Sequence, residues 1–186
     1  MWKKILLVLA ILIAVFIAVV AMQPGEFEVS RSAVIEAPVE TVFPLVNDFH
    51  ESDKWSPWAD LDPNAAYEFS GAESGVGAKH SWSGNKEVGV GSQEIVKSEE
   101  NKRIKILLKF EEPMNATSDV VYTFEPDGEK TKVTWTMSGE NNFLGKAMSL
   151  FMDCDEMVGS QFEKGLASLN EVAKKSSESK LTPVES

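Results

Sequence analysis

A single cysteine, Cys154, stands among 186 residues, which excludes an intramolecular disulfide and any cysteine cluster for zinc or iron–sulfur. Asp153 and Asp155 flank it and disfavour a thiolate, so the sequence points to an unreactive thiol. Basic residues are few, 18 against 29 acidic ones, and the net charge is −11. That balance argues against a nucleic-acid partner and against an electrostatic grip on anionic headgroups. No nucleophile elbow, phosphate-binding loop, dinucleotide fingerprint or metal-binding helix pair occurs. The glycines from Gly71 to Gly77 and from Gly89 to Gly91 lack the lysine and strand–helix setting of a phosphate loop and read as turns. Neither a cofactor nor a metal is expected.

What is present begins with an unbroken apolar run, Ile5 to Met22, of about 18 residues or roughly 27 Å as a helix. Lys3 and Lys4 precede it, and Gln23, Pro24, Gly25 and Glu26 follow. The lysine bias predicts a single-pass anchor with a cytoplasmic N-terminus and an extracytoplasmic domain, in a bacterium at the inner membrane. A cleaved signal peptide ending near Val19-Val20-Ala21 is the rival reading, but the run exceeds the usual length of such a core. The expected division is a cytoplasmic start at 1–4, an anchor at 5–22 and a linker at 23–26. A folded domain at 27–175 and a polar, disordered tail at 176–186 follow.

Between the linker and Glu140 the apolar residues mostly alternate. Phe27, Val29, Ala33 and Ile35 predict a first strand, with Arg31 oddly on their face. Arg31 reads as a cavity cation or as a residue snorkelling out near the strand end, the second being favoured. Pro38 suits a helix start, and Pro44 predicts a kink or early stop. A second helical turn carries Trp55 and Trp58. Strand candidates follow around Tyr67, Trp82, Val90–Ser98, Ile104–Phe110, Val120–Phe124 and Val133–Met137, joined by short turns such as Asp127-Gly128. Short turns imply antiparallel neighbours.

Asn142 is placed to cap a helix at Phe143, and Asp153, Asp155 and Glu156 suit the start of the next. Val158, Phe162, Leu166 and Leu169 then form one apolar stripe. An amphipathic helix after a run of antiparallel strands predicts an α+β fold, a curved sheet of about seven strands around a long C-terminal helix. Gly159 is expected to allow a bend or close packing, and Gly165 to leave room for a ligand on the gripped face.

Several segments carry a resemblance. They are Arg31-Ser-Ala-Val-Ile-Glu-Ala-Pro38 with Val42-Phe43, Trp55-Ser-Pro-Trp58, and Gly75-Val-Gly-Ala78 with Trp82 and Gly84-Asn85. Thr131-Lys-Val-Thr-Trp135, Phe143-Leu-Gly-Lys146, Leu150-Phe-Met-Asp153 and Phe162-Glu-Lys-Gly-Leu166 continue it. Together they resemble the START-like, or SRPBCC, superfamily and within it the polyketide cyclase/dehydrase-like family, in a membrane-anchored bacterial branch. The resemblance implies a helix-grip fold with a deep apolar cavity for lipids, polyketides or other hydrophobic molecules.

Tyr67, Trp82, Phe110, Tyr122, Trp135, Met137 and Phe162 are the candidate cavity lining, since apolar pockets are built mainly from such side chains. Trp55 and Trp58 are expected to close one end of the grip rather than touch ligand. His80 is the one imidazole placed for acid–base work, on the face of Trp82. Glu94 interrupts the row of Val90 and Val96 and is the second weak catalytic candidate, unless a one-residue register slip turns it outward. No catalytic constellation emerges. The sequence thus points to a membrane-anchored binding domain for a hydrophobic small molecule or lipid. A cyclase- or dehydratase-like enzyme and a filled-core domain that binds another envelope protein are the alternatives.

Overall fold

The computed structural model describes residues 2–59, 61–113 and 115–181. Helix α1, Trp2–Ala21, is about 30 Å long at 1.5 Å per residue. Its 18-residue mean hydropathy of 3.1 makes it long and apolar enough to cross a membrane. Within it only Val20 is buried. Met22, the expected last anchor residue, lies one position beyond the helix.

Seven strands form one antiparallel sheet in the order β1-β7-β6-β5-β4-β3-β2. They are β1 (Glu26–Ile35), β2 (Ala66–Gly71), β3 (Ala78–Ser83), β4 (Val90–Glu99), β5 (Arg103–Glu112), β6 (Ala116–Asp127) and β7 (Lys130–Glu140). Each of β2 to β7 pairs with its neighbour in sequence, as the short connections require. The exception is β1, which pairs with β7 across the whole domain, Arg31 opposite Trp135. Alternation then sorts the faces. Val29, Ile35, Ile95, Ile104, Ile106, Val120, Tyr122, Phe124, Val133 and Trp135 are buried on the inner one. On the outer face Ser30 and Thr136, and Ser32 and Thr134, join β1 to β7 by hydroxyl hydrogen bonds of 2.9 and 2.8 Å.

Between β1 and β2 lie α2 (Val39–Asn47) and α3 (Phe49–Ser52). Pro38 is the N-cap of α2 rather than its first residue, so the helix begins one position later than expected, and the Pro38 carbonyl accepts from Thr41 N–H at 2.9 Å. Pro44 does not end α2, which continues to Asn47. Its buried Val42, Leu45 and Val46 hold the helix to the core, and packing of that kind offsets a single missing hydrogen bond.

After β7 comes α4 (Phe143–Met148), capped as expected by Asn142 Oδ1, which accepts from Gly145 N–H at 2.8 Å. Helix α5, Cys154–Leu181, begins where Asp153 accepts from Glu156 N–H at 3.0 Å, with Asp155 and Glu156 in the first turn. Its Phe162, Leu166, Leu169 and Ala173 are buried against the sheet and α2. The polar stretch after Lys175 stays helical to Leu181 rather than disordered. Ser176 and Ser179 hydroxyls turn back onto the Val172 and Ser176 carbonyls, so they do not compete for the backbone ahead. Residues 182–186 of the expected tail lie outside the described residues.

Candidate ligand site

Helix α3 and the turn after it cover the inner face opposite β5–β7. Asp48 caps α3 by accepting from His50 N–H at 2.8 Å. Trp55 then donates its indole N–H to the Leu45 carbonyl at 2.8 Å, which fastens the turn to α2. Its ring meets Tyr122 and Trp135 edge-on, with centroids 6.3 and 5.8 Å apart. Trp58 meets the same Trp135 at 5.5 Å, and Trp135 stacks on Phe162 of α5 at 4.1 Å and 10°. These rings fill each other's space.

What remains is a cavity of about 70 Å³. Val46, Phe49, Trp55, Trp58, Ile106, Tyr122 and Trp135 form its apolar wall, and Ser52, Ser56 and Gln93 supply polar groups. At about 10–15 Å³ for one water it holds about five waters' worth, well below the roughly 300–1,000 Å³ of whole-ligand sites. The deep cavity expected from the sequence is therefore corrected to a small one. Of the seven residues expected to line it, Tyr122 and Trp135 do. Phe162 packs behind Trp135 instead, and Met137 packs at the edge of the core. Trp55 and Trp58, expected only to close the grip, are wall residues. Gly165 does not leave a void: a Cβ there would sit 2.8 Å from the Trp135 ring and 3.1 Å from Pro57. Trp135 Nε1 is buried without a hydrogen-bond partner among the described residues.

Tyr67, Trp82 and Phe110 form a separate cluster around His80, toward the β2 edge. Phe69 stacks on the His80 ring at 4.7 Å and 12°, with Tyr67 at 5.3 Å and Trp82 at 6.0 Å. His50 stacks on the other side of Phe69 at 4.2 Å, and Trp82 meets Phe110 edge-on at 5.8 Å.

His80 is only 8% exposed. Gln93 Nε2 donates to its Nδ1 at 3.0 Å, which leaves the imidazole proton on Nε2, itself buried and without a partner among the described residues. Burial pushes the His80 pKa down, Asp53 partly opposes this and His50 adds to it, so the ring is held neutral. Gln93 thus joins the two clusters, touching His80 and lining the cavity. Its inward position was open to inference from the alternation of Gly91, Gln93 and Ile95.

Glu94 points the other way. It pairs with Lys79 at 3.4 Å on the outer face, with a side chain 40% exposed. Val96 is exposed beside it. The inward placement is corrected for a physical reason. The Trp82 ring lies over Gly91, where a Cβ would be 2.5 Å from Cζ2, so the small residue and not the valine faces in.

Arg31 is neither a cavity cation nor a snorkelling end residue. From mid-β1 it reaches α5, donating to Asp155 Oδ2 at 2.8 Å and Glu163 Oε1 at 2.9 Å. The bond from Arg31 holds the Asp155 carboxyl below its ordinary range. A wider, open cleft of about 890 Å³ lies at the end of the sheet near the linker, among Gly25–Glu28, Asn115–Asp119 and Ser138–Asn142. Its lining is about as apolar as it is polar, it is open to solvent, and none of the seven residues expected to line a cavity belongs to it.

Residues 26–174 match the family model described as polyketide cyclase/dehydrase and lipid transport. The chain belongs to this family. Solved structures of similar fold include MLL2253 from Mesorhizobium loti, at 17% identity and a TM-score of 0.59, with 80% of this chain and 98% of that one covered. TTHA0849 from Thermus thermophilus has 18% identity and a TM-score of 0.57, with 81% and 99% covered. The Aha1 protein of Colwellia psychrerythraea, solved as a dimer, has 17% identity and a TM-score of 0.57, with 79% and 96% covered. At these identities the likeness is one of fold. No curated protein sequence matches the chain significantly. The family and the helix grip expected from the sequence are thus both found.

Proposed function

We propose that the chain is a membrane-anchored binding domain for a hydrophobic small molecule or lipid. The supporting observation is the aromatic cavity between α3, its following turn and the sheet, with Gln93, Ser52 and Ser56 as its polar groups. At about 70 Å³ it takes an apolar end or a small ring rather than a whole lipid. Helix α1 keeps that site beside the bilayer, where such molecules concentrate, with the domain on the extracytoplasmic side.

Mass spectrometry of organic extracts from the full chain, purified from membranes, tests this. Recovery of one apolar species, reduced in a Trp58→Ala variant, is the expected result. No bound species across several growth conditions would leave the filled-core interaction domain as the better reading. For topology, a periplasmic reporter fused after Ser186 is expected to be active, and an active cytoplasmic reporter there overturns the orientation.

A catalytic reading has one observation in its favour, the buried, neutral His80 hydrogen-bonded to a cavity residue. A cyclase- or dehydratase-like enzyme would lose turnover in His80→Ala while keeping ligand. Glu94 has no place in that reading, being outside the grip.

A further inference from the structure

Outside α1, large exposed apolar side chains concentrate in one segment. Phe143, Leu144 and Phe151 are more than half exposed, and Met152 and Met157 are close to that. All five lie between the end of β7 and the second turn of α5. Helix α4 has no buried residue at all. A soluble surface rarely groups such side chains without a partner.

The position of the segment identifies the partner. The linker after α1 is tied to it, since Gly25 C=O accepts from Asn141 N–H at 2.8 Å. The Lys146 ammonium also lies beside Gly25. Gly25 is four residues past the last residue of α1, a reach of at most about 14 Å. Phe143 follows Asn141 by two residues, and α4 itself touches α1. When α1 spans a bilayer, α4 is therefore held at the level where the hydrocarbon meets the headgroups.

We propose that the segment from Phe143 to Met157 is a second membrane contact, which seats its apolar side chains in the interfacial layer of a phospholipid bilayer and fixes the tilt of the domain. The proposal rests on the reading of α1 as a retained anchor. The chemistry is apolar insertion, not charge attraction: Asp153, Asp155 and Glu156 stand in the same stretch as Lys146, so anionic lipid is not required. A zwitterionic bilayer suffices.

The test uses the native full chain in phosphatidylcholine vesicles that contain a photoreactive diazirine phosphatidylcholine, with adducts mapped by mass spectrometry. Lipid adducts are expected on α1 and on the 143–157 peptides, and not around Val34 or Val76, which are equally exposed but remote from the linker in the fold. A Phe143→Ser/Phe151→Ser variant is expected to lose the adducts on that segment and keep those on α1. Adducts confined to α1 would overturn the second contact and leave the anchor intact. Absence of adducts from α1 would overturn both readings. A segment free of lipid adducts but shielded from a water-soluble carbene probe would overturn the proposal in favour of a second copy of the chain.

Discussion

The guanidinium of Arg31 lies in the space that a side chain on Gly159 would take. The absence of that side chain lets the fork rest flat against α5 and reach both Asp155 and Glu163 from the inner face of β1. The close packing expected at Gly159 is thus a packing of charge. Gly159→Ala should push the guanidinium off the helix and so behave like Arg31→Ala. Each variant is expected to lower the urea midpoint, and the double variant to fall no further than the worse single one. Additive losses would show that the two positions act independently.

Gly165 is a packing glycine. Leucine there would have to enter the space of Trp135 and Pro57. Gly165→Leu is expected to destabilise the domain by about 1–3 kcal/mol, the usual cost of overpacking, as read by urea denaturation. A variant that lost ligand at unchanged stability would return Gly165 to the role of a ligand-space residue.

Trp135 is the hub of the filled grip, in contact with Trp55, Trp58, Tyr122 and Phe162. Trp135→Ala should cost about 3–5 kcal/mol. Trp135→Phe keeps the stack on Phe162, removes the unpartnered indole N–H and should cost far less. A larger penalty for phenylalanine would mean that Nε1 has a partner in solution.

His80 has its pKa pushed down by burial, so the unfolded chain binds its proton first as the pH falls. Its contribution is full above the unfolded value of about 6.5 and is lost as the pH falls from there through the lower folded value. Stability measured by denaturation is expected to decline in that window, before the lowered carboxyls Asp155 and Glu36 begin to titrate. His80→Phe should flatten the decline, and an unchanged slope would assign it to other groups.

Glu94 pairs with Lys79 on an exposed face. Glu94→Gln is expected to change stability by less than about 1 kcal/mol and to leave ligand recovery as it was. Loss of ligand in this variant would contradict the outward register.

The strands are legible in the sequence because apolar alternation is a local signal, and the short turns from β2 to β7 leave little choice of neighbour, whereas the pairing of β1 with β7 has no local signal. The helix cap at Asn142 and the acidic start of α5 are local signals of the same kind. Arg31 stands out as an anomaly, but its partners lie 124 and 132 residues away, and no local pattern names them. The size of the cavity is not legible at all. The same tryptophans and phenylalanines line a void or fill it according to ring geometry, and here Trp135 against Phe162 fills it. Glu94 is misplaced by the sequence pattern because valines on both sides suggest an inner face, while the deciding residue is the glycine that admits Trp82.

The pairing of β1 with β7 also dictates an order of events. The first strand of the domain to be synthesised is joined to the last, with partners such as Ser30 and Thr136 separated by 106 residues. Until β7 emerges, β1 has no strand to pair with, and α5, which covers it, has not yet been made. Such distant closure is slow relative to helix formation and leaves a strand edge open in the meantime. The domain therefore completes its fold only once β7 and α5 have emerged, and a chain truncated before Lys130 would lack the strand that β1 requires.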